Sequence, residues 1–313
     1  MIDRIIFEDV SKFYGEVLGV NRVTLSLAPG VTTLVGPNGS GKTTLMNLMT
    51  GLVQPTRGHI RVLGMSPENA TEFFRAVGYC TQFDSFPRGV TGWEFVYDSL
   101  MLHGISVDQA RALSQEALTR VNMGEAANRK IAGYSKGMRQ KIRLAQSLAH
   151  HPRVLVLDEP LNGLDPMARA ESLALFEALG RLGMYVVISS HVLEEVDRIA
   201  DRVVLMAGGY IVAEGNIHQV RQEVREKPMQ VLIRCEHPEV LASRIFQLNH
   251  CVEARLHPDN QGVFVRTQEV DQFYMVLNQI AAEGVVKIEG VAPADDDANA
   301  IYQYLIGSDG GVS

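Results

Sequence analysis

Residues Gly36-Pro37-Asn38-Gly39-Ser40-Gly41-Lys42-Thr43 complete a G-x-x-x-x-G-K-[ST] pattern between an apolar run, Val31 to Val35, and an apolar-periodic stretch that begins near Lys42. Strand, glycine loop and helix in that order constrain the chain more than any other feature. Glycines let consecutive backbone N–H groups turn inward around phosphates, and the lysine reaches the β/γ oxygens. The threonine offers its hydroxyl to Mg²⁺ at a helix N-terminus, where the dipole already favours anions. The pattern predicts a nucleoside-triphosphate site on an α/β fold.

The 313 residues, 46 % of them hydrophobic, suffice for one large core and a smaller second domain. A net charge of −7 argues against a general electrostatic grip on nucleic acid or an anionic membrane, both of which need clustered Lys and Arg. Cys80, Cys235 and Cys251 are odd in number and lack C-x-x-C spacing, which predicts neither a disulfide framework nor a zinc site and suits a reducing compartment. The N-terminus reads as the start of a strand rather than a signal segment. No apolar run approaches the roughly 18 residues needed to span a bilayer, so a membrane connection is expected through a partner.

Strand patterns run to about Ala28, through Ile5 to Phe7 and Val20 to Leu27. From Phe83 to Gly133 the pattern turns helical, with helices over Trp93 to His103 and Val107 to Val121; this predicts an inserted helical subdomain. Parallel strands return at Val154 to Leu157 and Tyr185 to Ile188, continuous apolar runs of the kind buried on both faces, with a helix from Met167 to Leu182 between them. A strand pair, Arg202 to Met206 and Tyr210 to Glu214, turns at Gly208-Gly209. A helix over Ile217 to Lys227 precedes a linker at Pro228, giving domains 1–227 and 228–313. The second part reads β-α-β-β-α-β. Its elements are Met229 to Cys235, Pro238 to Leu248, Val252 to Leu256, Val263 to Thr267, Val270 to Glu283 and Val285 to Glu289, a ferredoxin-like α+β arrangement. Asp295 to Asp297 would cap a short helix ending near Ile306, before a frayed tail.

Chemistry beyond the loop comes from two places. Val154 to Leu157 leads into Asp158-Glu159, so Asp158 lies at the carboxyl edge of the sheet, where it can hold Mg²⁺ through water. Glu159 is placed to act as general base on the attacking water, a role worth about 10²–10⁴-fold. Tyr134-Ser135-Lys136-Gly137-Met138 precedes a helix, with Ser135 as N-cap and the following N–H groups forming a second anion-seeking helix end.

This set resembles the ATP-binding-cassette (ABC) ATPases. In that likeness Gly36 to Thr43, with Thr44 following, is the Walker A loop, Asp158 the Walker B aspartate and Glu159 the catalytic glutamate. Gln82 is similar to the Q-loop glutamine and a third Mg²⁺ contact, Asn162-Gly163-Leu164-Asp165 to the D-loop, His191 to the switch histidine, and Tyr14 to the aromatic that stacks on adenine. The signature departs from Leu-Ser-Gly-Gly-Gln, but Ser135 and Gly137 survive. The resemblance implies a P-loop NTPase with a RecA-like core, an antiparallel β subdomain and the helical insert. It also implies ATP and Mg²⁺ as ligands, with Glu159, His191 and Lys42 in catalysis. The Tyr-Ser-Lys-Gly-Met form, Asn162 and the small domain after Pro228 look like ATPases paired with ABC-2-type membrane subunits, mostly exporters.

A signature that contacts γ-phosphate across a subunit boundary implies a head-to-tail pair of chains around two ATP, and a polytopic membrane permease as second partner. The chain would then be cytoplasmic and peripheral on the inner membrane face. Phe83, Phe86, Trp93 and Phe95 either line a groove for that partner or belong to the core. The alternative class is a non-transport ABC ATPase acting on ribosomes or DNA. One cassette, no heptad arm and no metal cluster in the sequence speak against it, and no nucleic-acid partner is expected. The C-terminal domain reads either as a dimer-stabilising appendage or as a regulatory module.

Overall fold

The computed structural model describes residues 4–67, 70–82, 85–190, 198–216, 229–246, 251–267, 270–284 and 286–293. The expected helices over Ile217 to Lys227 and near Asp295, the Pro228 linker, Phe83 and His191 lie outside the described residues. The chain divides into two compact units, Met1–Ile217 and His218–Ser313.

In the first unit β1 (Ile5–Tyr14), β2 (Val17–Leu27) and β4 (Arg57–Val62) form an antiparallel sheet in the order β2-β1-β4. The second sheet holds β3 (Gly30–Val35), β5 (Val77–Cys80), β6 (Val154–Leu157), β7 (Tyr185–Ser190), β8 (Arg202–Ala207) and β9 (Tyr210–Gly215). Its order is β5-β6-β7-β3-β8-β9, parallel except for β9. Strands β6 and β7 are buried along their whole length. Alternate residues feed opposite sides. Leu155, Leu157, Val186 and Ile188 enter one core with the helices of the insert, whereas Val154, Val156, Tyr185 and Val187 enter the other with the antiparallel sheet. Two-sided burial explains why these strands read as unbroken apolar runs.

Helix α1 (Lys42–Met49) sinks Leu45, Met46, Leu48 and Met49 into the second of these cores. Helices α3 (Gly92–Leu102), α4 (Val107–Arg120), α5 (Lys136–Leu148) and α6 (Pro166–Arg181) pack on the first. A capping box starts α3, where Thr91 Oγ1 accepts from Glu94 N and Glu94 Oε2 from Thr91 N. Phe86, Trp93 and Phe95 are partly buried against this core, so they serve packing first. The short α2 (Ala70–Ala76) and strand β4 carry too little periodic pattern to be read beforehand.

The second unit contains β10 (Met229–Cys235), α7 (Pro238–Phe246), β11 (Cys251–Leu256), β12 (Gly262–Thr267), α8 (Val270–Ala282) and β13 (Ile288–Pro293). All neighbouring strands are antiparallel, in the order β11-β12-β10-β13. Leu241, Ile245, Phe273, Leu277 and Ile280 cover one face of the sheet through Val231, Ile233, Val263 and Val265. The last strand begins at Ile288, not at Val285. Gly284 turns the chain at φ 69°, Val286 drops into the core at 2 % exposure, and pairing with β10 starts only at Cys235↔Ile288.

Candidate functional site

The strand order brings the carboxyl ends of β3, β6 and β7 side by side, the crevice at which open α/β sheets bind ligands. The loop after β3 is built for glycine. A Cβ at Gly36 would lie 2.1 Å from Met206 O, and one at Gly41, whose φ is 101°, would lie 2.6 Å from Gly19 O. Pro37 is half-buried, Asn38 and Gly39 are exposed, and Ser40 is buried with a hydroxyl that has no hydrogen-bond partner among the described residues. The backbone is pinned by Ser40 N donating to Pro37 O and Gly209 N donating to Ser40 O, both at 3.1 Å.

Lys42 is 6 % exposed and donates to Gly36 O at 2.6 Å and Pro37 O at 3.1 Å. Burial pulls its ammonium below the usual lysine range, while Glu159 and Asp158 oppose that fall. Lys42 is thus a buried cation held by two loop carbonyls with two carboxylates close enough to favour its charged form. Thr43 Oγ1 donates to Asp158 Oδ2 at 2.9 Å, joining the start of α1 to the end of β6. Asp158 is 2 % exposed, and its N–H donates to Cys80 O at 2.9 Å. Its other oxygen, Oδ1, accepts from Ser189 Oγ at 2.7 Å.

Glu159 occupies the left-handed region at φ 50°, a conformation that costs a non-glycine residue about 1–3 kcal/mol. Ser189 Oγ accepts from its backbone N–H at 2.7 Å, and Asn162 Nδ2 donates to its Oε2 at 3.3 Å. Sequence reasoning did not single out Ser189. Its only signal was a hydroxyl at the end of the apolar strand β7.

Gln82 is exposed two residues beyond β5, whose last carbonyl receives the Asp158 N–H. The flanking loop is held by Arg143 of α5, which donates to Thr81 Oγ1 at 2.9 Å and Ser85 O at 3.1 Å over the ring of Phe86. Tyr14 ends β1 with 45 % exposure; the Lys12 ammonium lies 5.2 Å from its ring centroid. A Cβ at Gly19 would come within 3.0 Å of that ring and 2.8 Å of Thr44 Cγ2, so Gly19 lets the tyrosine and the loop helix share one surface.

Ser135 accepts from Met138 N at 3.2 Å and caps α5. Ser135 and Gly137 line a separate cleft of about 540 Å³ with Met123, Met138, Lys141 and Asp165, to which no residue of the glycine loop contributes. Lys42, Thr43, Asp158 and Glu159 are linked by the Thr43–Asp158 hydrogen bond and the charges around Lys42, and none of them lines the Ser135–Gly137 cleft.

The family model described as ABC transporter matches residues 20–162. Over 280 residues the chain is 30 % identical to the Nod factor export ATP-binding protein I of Rhizobium etli, covering 88 % of this chain and 86 % of that one. The chain belongs to the ABC transporter ATP-binding proteins. It is an ATP hydrolase of that family. It is also 38 % identical over 190 residues to the ABC transporter ATP-binding protein YxlF of Bacillus subtilis, spanning 61 % of this chain and 63 % of that relative's length. A solved ATP binding subunit of an ABC transporter superimposes with a TM-score of 0.65 at 25 % identity, over 70 % of this chain and 92 % of that one. No helix among the described residues is long and apolar enough to cross a membrane.

Proposed function

We propose that this chain is the ATP-hydrolysing subunit of an exporter, working as a pair of copies on a separate ABC-2-type membrane permease. The observation that carries the reading is the Thr43–Asp158 hydrogen bond with Glu159 next in the chain, a hydroxyl, a carboxylate and a candidate base in one crevice. These groups suit Mg²⁺, a hard cation that takes oxygen ligands. Thr43 and Asp158, with Gln82, would hold it; when bound it neutralises charge on the β- and γ-phosphates. The steric demand for glycine at positions 36 and 41 supports a backbone that closes on phosphate, with Gly39, Ser40 and Lys42 supplying donors. Glu159 takes the proton of the attacking water on its carboxylate, and Lys42 steadies the charge that develops on the transferred phosphoryl group. His191 is proposed to hold that group as well, and Tyr14, beside Thr44, to stack on adenine. Base stacking is worth about 1–3 kcal/mol and tolerates every base.

That no residue of the loop lines the cleft holding Ser135 and Gly137 supports a two-chain site in which each copy completes the other's centre. Export follows the relative from Rhizobium etli, whose name states that role for itself. The second unit, with strand order β11-β12-β10-β13, is proposed as a ferredoxin-like domain that stabilises the pair. Residues 1–227 then form the ATPase domain and 228–313 the accessory domain. The protein would lie on the inner face of the membrane, held there by the permease. Affinity purification from detergent-solubilised membranes tests the transport reading: a polytopic membrane protein should copurify. Ribosomal proteins or DNA in its place would favour a non-transport ATPase.

A further inference from the structure

Ser189 is 1 % exposed, at the penultimate position of β7, and its single hydroxyl is committed twice at 2.7 Å. It donates to Asp158 Oδ1 and accepts from the N–H of Glu159. The two bonds have different consequences. The first fixes the rotation of the Asp158 carboxylate, so that Oδ2 faces Thr43 and the crevice while Oδ1 faces the strand. The second satisfies the amide of a residue held at φ 50°, where an unpaired buried N–H would add to the backbone strain. With Asn162 Nδ2 on Glu159 Oε2, both ends of the glutamate are tied, one through the main chain and one through the side chain.

We infer that Ser189 is a positioning residue which aims the metal-holding oxygen of Asp158 and sets the backbone of Glu159 with one hydroxyl. The inference rests on the roles proposed above for Asp158 and Glu159. Parallel pairing of β7 with β6 puts Ile188 opposite Leu157, so the next residue on β7 is the one whose side chain reaches the Asp158-Glu159 turn. Leu34 of β3 is the partner of Ser189 on the other side and offers no polar side chain. The buried Ser189 hydroxyl, next to Ser190 at the end of a strand whose middle is apolar, is thus explained by its two bonds rather than by packing.

The test uses the full chain in a Glu159→Gln background, which preserves the main-chain amide and keeps ATP intact. Mn²⁺ serves as the paramagnetic probe of the ATP-loaded protein, alongside ATP affinity in EDTA. Ser189→Ala is expected to weaken Mn²⁺ binding about 10–100-fold while leaving metal-free ATP affinity unchanged. Ser189→Thr, which keeps the hydroxyl on a strand-compatible side chain, is expected to restore it. With Glu159 present, turnover of the same variants should follow the same order, with KM for ATP little changed.

Equal Mn²⁺ affinity in Ser189→Ala and its parent would overturn the inference, as would a threonine variant as impaired as the alanine. Asp158→Asn separates the two levels. If it weakens Mn²⁺ while Ser189→Ala does not, only the role of Ser189 falls. If it too leaves Mn²⁺ untouched, the reading of Asp158 falls and the inference falls with it.

Discussion

Glu159 shows how one residue is constrained from several directions. Its positive φ, the amide bond to Ser189 and the side-chain bond from Asn162 leave the carboxylate little freedom, which suits a group that must meet a water in one geometry. Glutamine has the same shape and still accepts from Asn162, but it takes up no proton. Glu159→Gln should therefore keep ATP binding and cut turnover by at least about 100-fold, measured as phosphate release at saturating ATP. Unchanged turnover would remove the general-base assignment. Lys42 is proposed to act on affinity as well as on the developing charge. Its ammonium is buried beside two carboxylates, so Lys42→Ala should abolish stable nucleotide binding by calorimetry, and retained affinity would mean that the loop is misread.

At the scale of elements, α5 is tied to the edge of the sheet at its middle and just past its end. Near its start Ser135 caps it, and in its middle Arg143 grips both sides of the loop that holds Gln82. Just past its end His150 stacks on His103, with ring centroids 4.3 Å apart, and lies 3.2 Å from Val77 O. Burial, then the neighbouring His103, pushes the His150 imidazole down to about 4 from an ordinary 6.5. The sign follows from linkage. The unfolded chain takes up this proton first, so the stabilisation is complete above pH 6.5 and is lost as pH falls toward 4. Denaturant midpoints should drop between pH 7 and pH 5, and His150→Phe should flatten that slope. An unaltered slope would show that other groups carry the acid sensitivity.

For the whole molecule, the proposed two-chain site turns on the cleft lined by Ser135 and Gly137, to which no residue of the glycine loop contributes. If a second copy completes the site, ATPase rate per chain should fall on dilution, and Ser135→Ala should abolish the concentration dependence together with most turnover. Glu159→Gln with ATP should run as a dimer on size exclusion and revert to monomer without nucleotide. A fully active monomer at high dilution would rule out the shared centre.

The sequence by itself determined the loop from Gly36 to Thr43, the pair Asp158-Glu159 and the N-cap at Ser135, because each depends on local geometry that only certain side chains permit: glycine at a crowded turn, acids at a strand end, a hydroxyl at a helix start. Apolar runs likewise announced β6 and β7, since strands buried on both faces need no polar residues. Only the tertiary structure decided that Ser189 serves both carboxylate residues, that Arg143 reaches the Gln82 loop and that the last strand starts at Ile288. Those facts depend on which strands lie side by side and in what register, and a hydrogen bond between residues thirty positions apart leaves no periodic trace along the chain.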